Sequence, residues 1–204
     1  MKQYDCKNSS LSAGINIMTK KPIEPRVFPP SVTQLDEAQE RVYNAITSGP
    51  RGEVVGPLGV WLWRPELADR AQRLGEYARY NTKLPPKLSE LAILVVARFW
   101  GSEFEWCVHK KIALEAGLNP EVVEAIRVGK APSLEEQNQV VVYEFSRTLL
   151  EQRAVNDDLY ERAIEVLGQE TTIDLVAILG YYSLISLTIN AFRVSLPEGS
   201  EPEL

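Results

Sequence analysis

The stretch from Leu88 to Gly117, LSELAILVVARFWGSEFEWCVHKKIALEAG, decides the fold of this chain. Its first half is strongly apolar and is interrupted only by Glu90 near its start and Arg98 near its end. Such a run predicts a helix that is buried in a core. After a break at Gly101, a second helical segment follows and ends at Gly117, because glycine is favoured just past the last turn of a helix. The stretch therefore predicts two consecutive helices that form the centre of a bundle.

The rest of the chain also contains residues that are typical of helix starts. Thr33 can cap a first helix, Pro65 can start another, Ser133 with Glu136 forms a capping box, and Asn156 can cap a further helix. No segment has the alternation of a β-strand that would compete with these helices. We expect an all-α fold in three parts: an irregular N-terminal extension (1–30), a single helical domain (31–196) and a C-terminal tail (197–204).

Composition excludes several classes of partner. The formal net charge of −6 and the pI near 5.0 argue against nucleic acid, which favours a basic surface, and against an anionic membrane surface. The two cysteines, Cys6 and Cys107, are too few for a disulfide framework, and no secretory signal is visible. We expect a cytoplasmic protein.

The segment Leu175–Phe192, LVAILGYYSLISLTINAF, is long and apolar enough to resemble a membrane span. It contains several hydroxyl and amide side chains and lacks basic flanks. We interpret it as a helix buried in the bundle or in a subunit interface, and we expect no membrane partner.

The sharpest chemical signal is a glutamate–histidine pair in the central stretch. His109 is the only histidine of the chain, and Glu105 lies four residues before it, so a helix places both side chains on one face. A carboxylate beside an imidazole can transfer protons near neutral pH. The alternative is an exposed pair worth a few tenths of a kcal/mol. Flanking residues that look buried, including Trp106, favour the functional interpretation.

Other chemistries have weaker support in the sequence. Cys107 lies ~200° around the helix from His109 and should point away from it. One histidine and a nearby glutamate fall short of a three-ligand metal site, and no nucleotide motif is present, so we expect no metal and no cofactor. The glycine-rich loop 49–59 is either a tight surface loop or one wall of a pocket, in which Arg51 would meet an anionic group.

The order Glu90, Ser102, Glu105 and His109, followed by ALEAGL, resembles the carboxymuconolactone decarboxylase and alkylhydroperoxidase D superfamily. Peroxidases of that superfamily have a glutamate, a Cys-x-x-Cys and a histidine in this frame. Here Ser102 and Glu105 stand at the two cysteine positions. A thiol–disulfide cycle needs both sulfurs, so we do not expect a thiol peroxidase.

Residues 42–199 are similar to a longer, carboxymuconolactone decarboxylase-like branch of the superfamily. The resemblance implies an alkylhydroperoxidase D-like helical bundle that forms a homo-oligomer, a trimer or hexamer, with active sites near subunit contacts. It also implies a carboxy-lyase that decarboxylates, or transfers protons on, a small carboxylated or lactone-like substrate.

The first hypothesis is therefore a cofactor-free decarboxylase, and two alternatives stay open. One is another proton-transfer enzyme (an isomerase, cyclase or dehydratase) that acts on a secondary metabolite. The other is a non-catalytic oligomer that binds a small apolar ligand and keeps Glu105 and His109 closed off from any cavity. For an enzyme, we predict three catalytic residues, Glu105, His109 and Glu90, and five substrate-binding residues, Arg98, Arg51, Ser102, Trp106 and Tyr182.

Overall fold

The computed structural model describes residues 24–204, so most of the predicted N-terminal extension lies outside the described residues. The described part is entirely helical and contains no strand, which confirms the all-α prediction. Besides a 3-10 turn at Val32–Gln34 and a π-helical segment at Tyr77–Asn81, it contains nine helices: α1 (Glu37–Thr47), α2 (Pro57–Trp61), α3 (Pro65–Glu76), α4 (Pro86–Trp100), α5 (Glu103–Glu115), α6 (Pro120–Arg127), α7 (Gln137–Gln152), α8 (Asp157–Leu167) and α9 (Gln169–Phe192).

Helix α4 is the axis of the bundle. Every residue from 88 to 97 is buried, and the helix packs against α5, α7 and α9. A helix that is covered on all sides has no polar face, which explains why this stretch of sequence is almost uniformly apolar. Because Glu90 lies within the buried span, its carboxylate needs a partner inside the protein.

The turn between α4 and α5 directs the second central helix back along the first. Gly101 adopts a left-handed conformation with φ +58°, which glycine tolerates without the steric cost of a Cβ. The Gly101 and Ser102 amides both donate to the last carbonyls of α4, the latter to Ala97 O at 2.8 Å. This turn places the face of α5 that carries His109 against α4.

Some helix ends differ from the predicted ones. Asp36, rather than Thr33, caps α1, and it forms a reciprocal capping box with Gln39. Asn156 caps α8 as predicted, accepting from the Leu159 amide at 2.9 Å. The predicted Ser133 cap is wrong, because α7 begins only at Gln137.

The glycine-rich loop contains the short helix α2, all of whose residues are buried. Its Trp61 indole donates to Thr188 Oγ1 on α9 at 3.1 Å. A Cβ at Gly56 would lie 2.6 Å from the ring of Phe104, so glycine is needed for the loop to lie against α5. The loop is therefore fixed against the two helices that flank the predicted site.

Helix α9 is long and apolar enough to cross a membrane, but half of its apolar window is buried in the bundle. Its first turns are held by Asp174, a buried carboxylate that accepts from Tyr77 Oη at 2.6 Å and from the Lys83 amide at 2.7 Å. These bonds tie α9 to the π-helical segment that follows α3.

The C-terminal tail packs on α5 rather than extending away from it. The Glu103 carboxylate accepts from the Glu203 and Leu204 amides at 2.8 and 2.9 Å. Glu203 in turn pairs with Lys110 Nζ at 2.6 Å. The tail therefore covers the side of α5 that faces away from the glycine-rich loop.

We predict that Asp174→Ala destabilises the protein by about 2 kcal/mol, because it removes a buried acceptor of two hydrogen bonds. Urea unfolding should show this loss, whereas Asp69→Ala, which breaks an exposed pair with Arg73, should change stability by less than about 1 kcal/mol. Equal effects of the two substitutions would contradict the anchoring role of Asp174.

Candidate active site

The two central helices bring three of the predicted residues into direct contact. Glu90 comes from α4, and Glu105 and His109 come from α5. His109 Nδ1 lies 2.7 Å from Glu90 Oε2, and His109 Nε2 lies 3.0 Å from Glu105 Oε2. The three residues are between 3% and 5% exposed, so the imidazole is enclosed between two buried carboxylates.

The two contacts of the imidazole are not equivalent. The one to Glu90 has hydrogen-bond geometry. The one to Glu105 is close enough for an ion pair but poorly aligned, and Glu105 Oε2 has no hydrogen-bond partner among residues 24–204. Glu90 therefore orients the ring, and Glu105 Oε2 lies within reach of the Nε2 proton.

The two carboxylates decide the charge of the imidazole. Burial by itself lowers the pKa of His109, but the negative charges of Glu90 and Glu105 outweigh it and raise that pKa to about 9. At pH 7 the side chain is therefore an imidazolium, which donates its Nδ1 proton to Glu90. The buried ring of His109 therefore holds an extra proton at a defined position.

Two tyrosines of α9 pack beside the imidazolium. The Tyr182 ring meets His109 edge to face at 4.9 Å, and Tyr181 meets Tyr182 in the same way at 5.4 Å. Burial raises the pKa of Tyr181 to about 12 and that of Tyr182 well above its usual 10. Both phenols are therefore neutral near pH 7 and act as hydrogen-bond donors there.

Glu105 and His109 line a pocket of about 70 Å³ that opens to solvent, here called the His109 pocket. This position counts against the hypothesis of a non-catalytic protein, which requires the pair to be closed off from any cavity. The other lining residues come from the glycine-rich loop and its helix, from the π-helical segment and from α5 and α9: Arg51, Val55, Pro57, Leu58, Arg79, Phe104, Val108, Tyr181, Tyr182 and Ile185.

Two arginines form a cationic side of this pocket. Arg51 Nη2 donates to Tyr181 Oη at 3.3 Å, and its buried Nε has no acceptor in the described part of the chain. Gly75 makes this arrangement possible, because a Cβ there would overlap both Arg51 Nη2 and the Tyr181 hydroxyl. Arg79 lines the pocket from the π-helical segment.

The structure separates the predicted substrate-binding residues into two groups. Arg51 and Tyr182 line the His109 pocket, whereas three others lie outside it. Ser102 is the fully buried residue before α5, Trp106 is fully buried and donates to Glu203 Oε2 at 3.3 Å, and Arg98 lines a different pocket. Trp106 therefore belongs to the core and to the tail contact.

The sequence analysis assigned neither Tyr181 nor Arg79 to the site, and of the two Arg79 is the harder to predict. Its position depends on a π-helical segment, in which the backbone register shifts by one residue relative to an α-helix. No spacing rule in the sequence marks such a segment, so the side chain could not be assigned to the pocket in advance.

Cys107 is a free thiol that does not line the His109 pocket. Cys107 Sγ lies 3.3 Å from Ser200 Oγ in the tail, so it faces away from the His109 pocket, as its helical position predicts. No group of three His, Cys, Asp or Glu side chains in residues 24–204 is arranged to hold a metal ion.

Comparison with known families follows this geometry. Residues 65–136, which include Glu90, Glu105 and His109, match the carboxymuconolactone decarboxylase family. The superfamily resemblance is confirmed. No curated protein matches the sequence of the chain.

Solved structures show the same fold at low sequence identity. A peroxidase-related protein from Silicibacter sp. TM1040 has a TM-score of 0.70 at 14% identity, covering 88% of this chain and 96% of the other. An alkylhydroperoxidase AhpD core protein from Ralstonia eutropha JMP134 has the same score and identity, with 85% and 93% covered. The debrominase Bmp8 has a TM-score of 0.67 at 13% identity, with 83% and 91% covered. These similarities establish the alkylhydroperoxidase D-like fold.

We predict that the free energy of unfolding decreases as the pH rises, because His109 loses its proton. A pKa raised from 6.5 to about 9 on folding contributes stability that is fully present below pH 6.5 and is lost as the pH rises through 9. The loss is on the order of 3 kcal/mol. Urea unfolding between pH 6.5 and 10 should show a decline that is markedly smaller in His109→Gln, and the same decline in both proteins would contradict the charged state.

Proposed function

We propose that this chain is an enzyme that transfers a proton on a small anionic substrate bound in the His109 pocket, most simply as a decarboxylase. The observation that carries the proposal is a buried imidazole enclosed by two carboxylates at the wall of a pocket that two arginines also line. Proton donor and anion-binding groups therefore face the same small space.

His109, Glu105 and Glu90 each have a distinct role in this proposal. His109 supplies the proton, since it is charged at neutral pH. Glu105, whose Oε2 lies 3.0 Å from His109 Nε2, relays the proton from the ring to the substrate, and a proton from solvent then restores the ring. Glu90 is a positioning residue, because its hydrogen bond to Nδ1 fixes the ring and directs Nε2 towards Glu105.

Decarboxylation uses these groups in a balanced way. The carbon–carbon bond to the leaving carboxylate breaks, carbon dioxide departs, and the electron pair remains on the substrate as an enolate conjugated to a carbonyl. A proton from the His109–Glu105 pair then adds to the carbon, and solvent restores the proton to the pair. The barrier falls if the enolate oxygen meets fixed positive charge or hydrogen-bond donors.

The arginines lower the barrier more if they bind groups other than the carboxylate that leaves. A cation paired with the leaving carboxylate would stabilise the ground state more than the transition state, because that charge moves away in the reaction. We therefore assign Arg51 and Arg79 to a retained carboxylate or to the enolate oxygen. The Tyr181 hydroxyl, already paired with Arg51, is a further donor for that oxygen.

A second candidate is an isomerase that removes and returns a proton at two carbons. One observation favours it: an acid, His109, and an acceptor oxygen on Glu105 lie 3.0 Å apart in the same pocket. Such a pair can act as base and then acid without the loss of carbon dioxide. A thiol peroxidase is disfavoured because the motif positions are Ser102 and Glu105.

The fold is known to accept small cyclic molecules in at least one case, since Bmp8 has been crystallised as a variant in complex with 2,3,4-tribromopyrrole. This supports a small ring-containing substrate for the present chain.

We further propose that α9 mediates homo-oligomer formation. Its outer face carries a row of exposed apolar side chains at helical spacing, and a Cβ at Gly180 within this row would meet no neighbouring atom. A second copy of the same helix could cover this row, as expected for a symmetric interface. The exposed side chains are Ile173, Val176, Leu184 and Leu187.

We predict that the wild type releases carbon dioxide from γ-carboxymuconolactone and that Glu105→Gln and His109→Gln each lower kcat about 100-fold or more. Glu115→Gln, on the exposed end of the same helix, is the matched control and should keep wild-type activity. Unchanged turnover in folded His109→Gln would contradict the proposal. A wild type that exchanges carbon-bound hydrogen of the lactone with D₂O but releases no carbon dioxide would favour the isomerase.

We predict that the double substitution Leu184→Glu, Leu187→Glu yields a smaller species in multi-angle light scattering, because four charges would lie across each two-fold contact. Tyr160→Glu, an equally exposed position on α8, serves as the control. Identical masses for all three proteins would place the interface elsewhere or show that the chain is monomeric.

A further inference from the structure

Arg98 was expected to hold a substrate carboxylate, but it lies in a second pocket with no lining residue in common with the His109 pocket. This second pocket, here called the Arg98 pocket, has a volume of about 100 Å³ and lies where the end of α4 meets the end of α6 and the middle of α7. The proposed reaction gives this space no part.

The pocket has an excess of positive charge. Three cations line it, and the one carboxylate there, Glu151, is already paired with Arg147 Nε at 2.8 Å. Neither Arg98 nor Lys130 has a side-chain ion pair within residues 24–204. Two cationic groups are therefore left without a counter-charge at one opening.

The guanidinium of Arg98 is partly enclosed by the protein rather than free in solvent. Its Nε is buried and lacks an acceptor in the described chain. Gly129 lies beside it with φ +73°, and a Cβ there would stand 3.3 Å from Arg98 Nη2, so the backbone of that turn approaches the guanidinium closely. A cation in the last turn of α4 also complements the helix dipole, but the dipole provides no acceptor for a buried N–H.

The remaining walls are mostly apolar. Val95, Phe99, Ile126 and Leu150 line the pocket beside Tyr143, and Phe99 is 44% exposed. A phosphate or sulfate ion would use the cations and leave this surface in water. A carboxylate with a short hydrocarbon body would use both, since burying each CH₂ group contributes about 0.8 kcal/mol.

We propose that the Arg98 pocket binds a short-chain or small aromatic carboxylate. The carboxylate is held by the Arg98 guanidinium, which can donate two parallel hydrogen bonds, and by Lys130. The hydrocarbon body lies against Phe99 and Leu150. An enclosed apolar cavity of about 150 Å³ accommodates benzene, whereas this pocket of about 100 Å³ is smaller but open to solvent, so a ligand of about six carbons binds with its far end in the opening. The site is separate from the proposed reaction and stands whether or not that reaction is correct.

The test is calorimetric titration with hexanoate, accompanied by ¹H–¹⁵N spectra of the full chain. We expect one hexanoate site in the wild type, with amide shifts at Gly129 and Lys130. Arg98→Gln should weaken binding about tenfold or more, and Lys130→Gln should weaken it less, because its charge is more exposed. Lys111→Gln, which removes an exposed charge on α5 that lines neither pocket, is the matched control and should bind hexanoate as the wild type does.

Two further probes separate the parts of the site. 1-Hexanol, which has the same body without the charge, and inorganic phosphate, which has the charge without the body, should each bind at least tenfold more weakly than hexanoate. The proposal would be overturned if Arg98→Gln and Lys130→Gln each bound hexanoate with wild-type affinity. It would also be overturned if only Arg51→Gln lost binding, because hexanoate would then bind in the His109 pocket. Phosphate binding as tight as that of hexanoate would overturn the assignment of the apolar body.

Discussion

The hydrogen bond between His109 and Glu90 is the interaction on which the rest of the site depends. It joins the two central helices inside the core, where both residues are no more than 4% exposed. A buried ion pair contributes little net stability compared with apolar packing, yet loss of one partner costs about 3–5 kcal/mol. The pair therefore fixes the register of α5 on α4, and with it the position of Glu105. The same contact therefore joins two helices and holds the histidine that carries the proton of the proposed reaction.

The pocket is then assembled around this pair by elements that have no chemistry of their own. The glycine-rich loop lies close to α5 because Gly56 leaves room for Phe104, and Gly75 leaves room for Arg51 beside Tyr181. These close approaches place a cation and the Glu105–His109 pair in the wall of one pocket of about 70 Å³. In such a small, partly dehydrated space, charge–charge interactions are stronger than in water, which favours proton transfer to a bound anion.

The sequence was sufficient for most of the fold and for the centre of the site. The apolar run of α4, the spacing of Glu105 and His109, and the cap at Asn156 all follow from local rules, and the structure has them. What local rules could not provide was the direction of long side chains and the geometry of irregular turns. Arg98 lies on the same helix as Glu90 but lines another pocket. Which neighbouring helix its side chain meets depends on how the helices pack, and the sequence alone does not give that packing. Arg79 reaches the site only through a π-helical segment, and Trp106 was assigned to a substrate although it fills the core, because burial and site proximity look alike in a sequence.

The central claim is that His109 is a buried imidazolium at neutral pH, held by Glu90 and Glu105. Because it is the only histidine of the chain, its ring nitrogens can be observed without overlap in a long-range ¹H–¹⁵N NMR spectrum of the histidine-labelled protein. We expect both nitrogens to have the shifts of a protonated ring at pH 7 and to titrate with a midpoint near pH 9. In Glu90→Gln the midpoint should fall by more than one pH unit. A neutral ring at pH 7 in the wild type, or a midpoint near 6.5 that does not respond to Glu90→Gln, would contradict this claim.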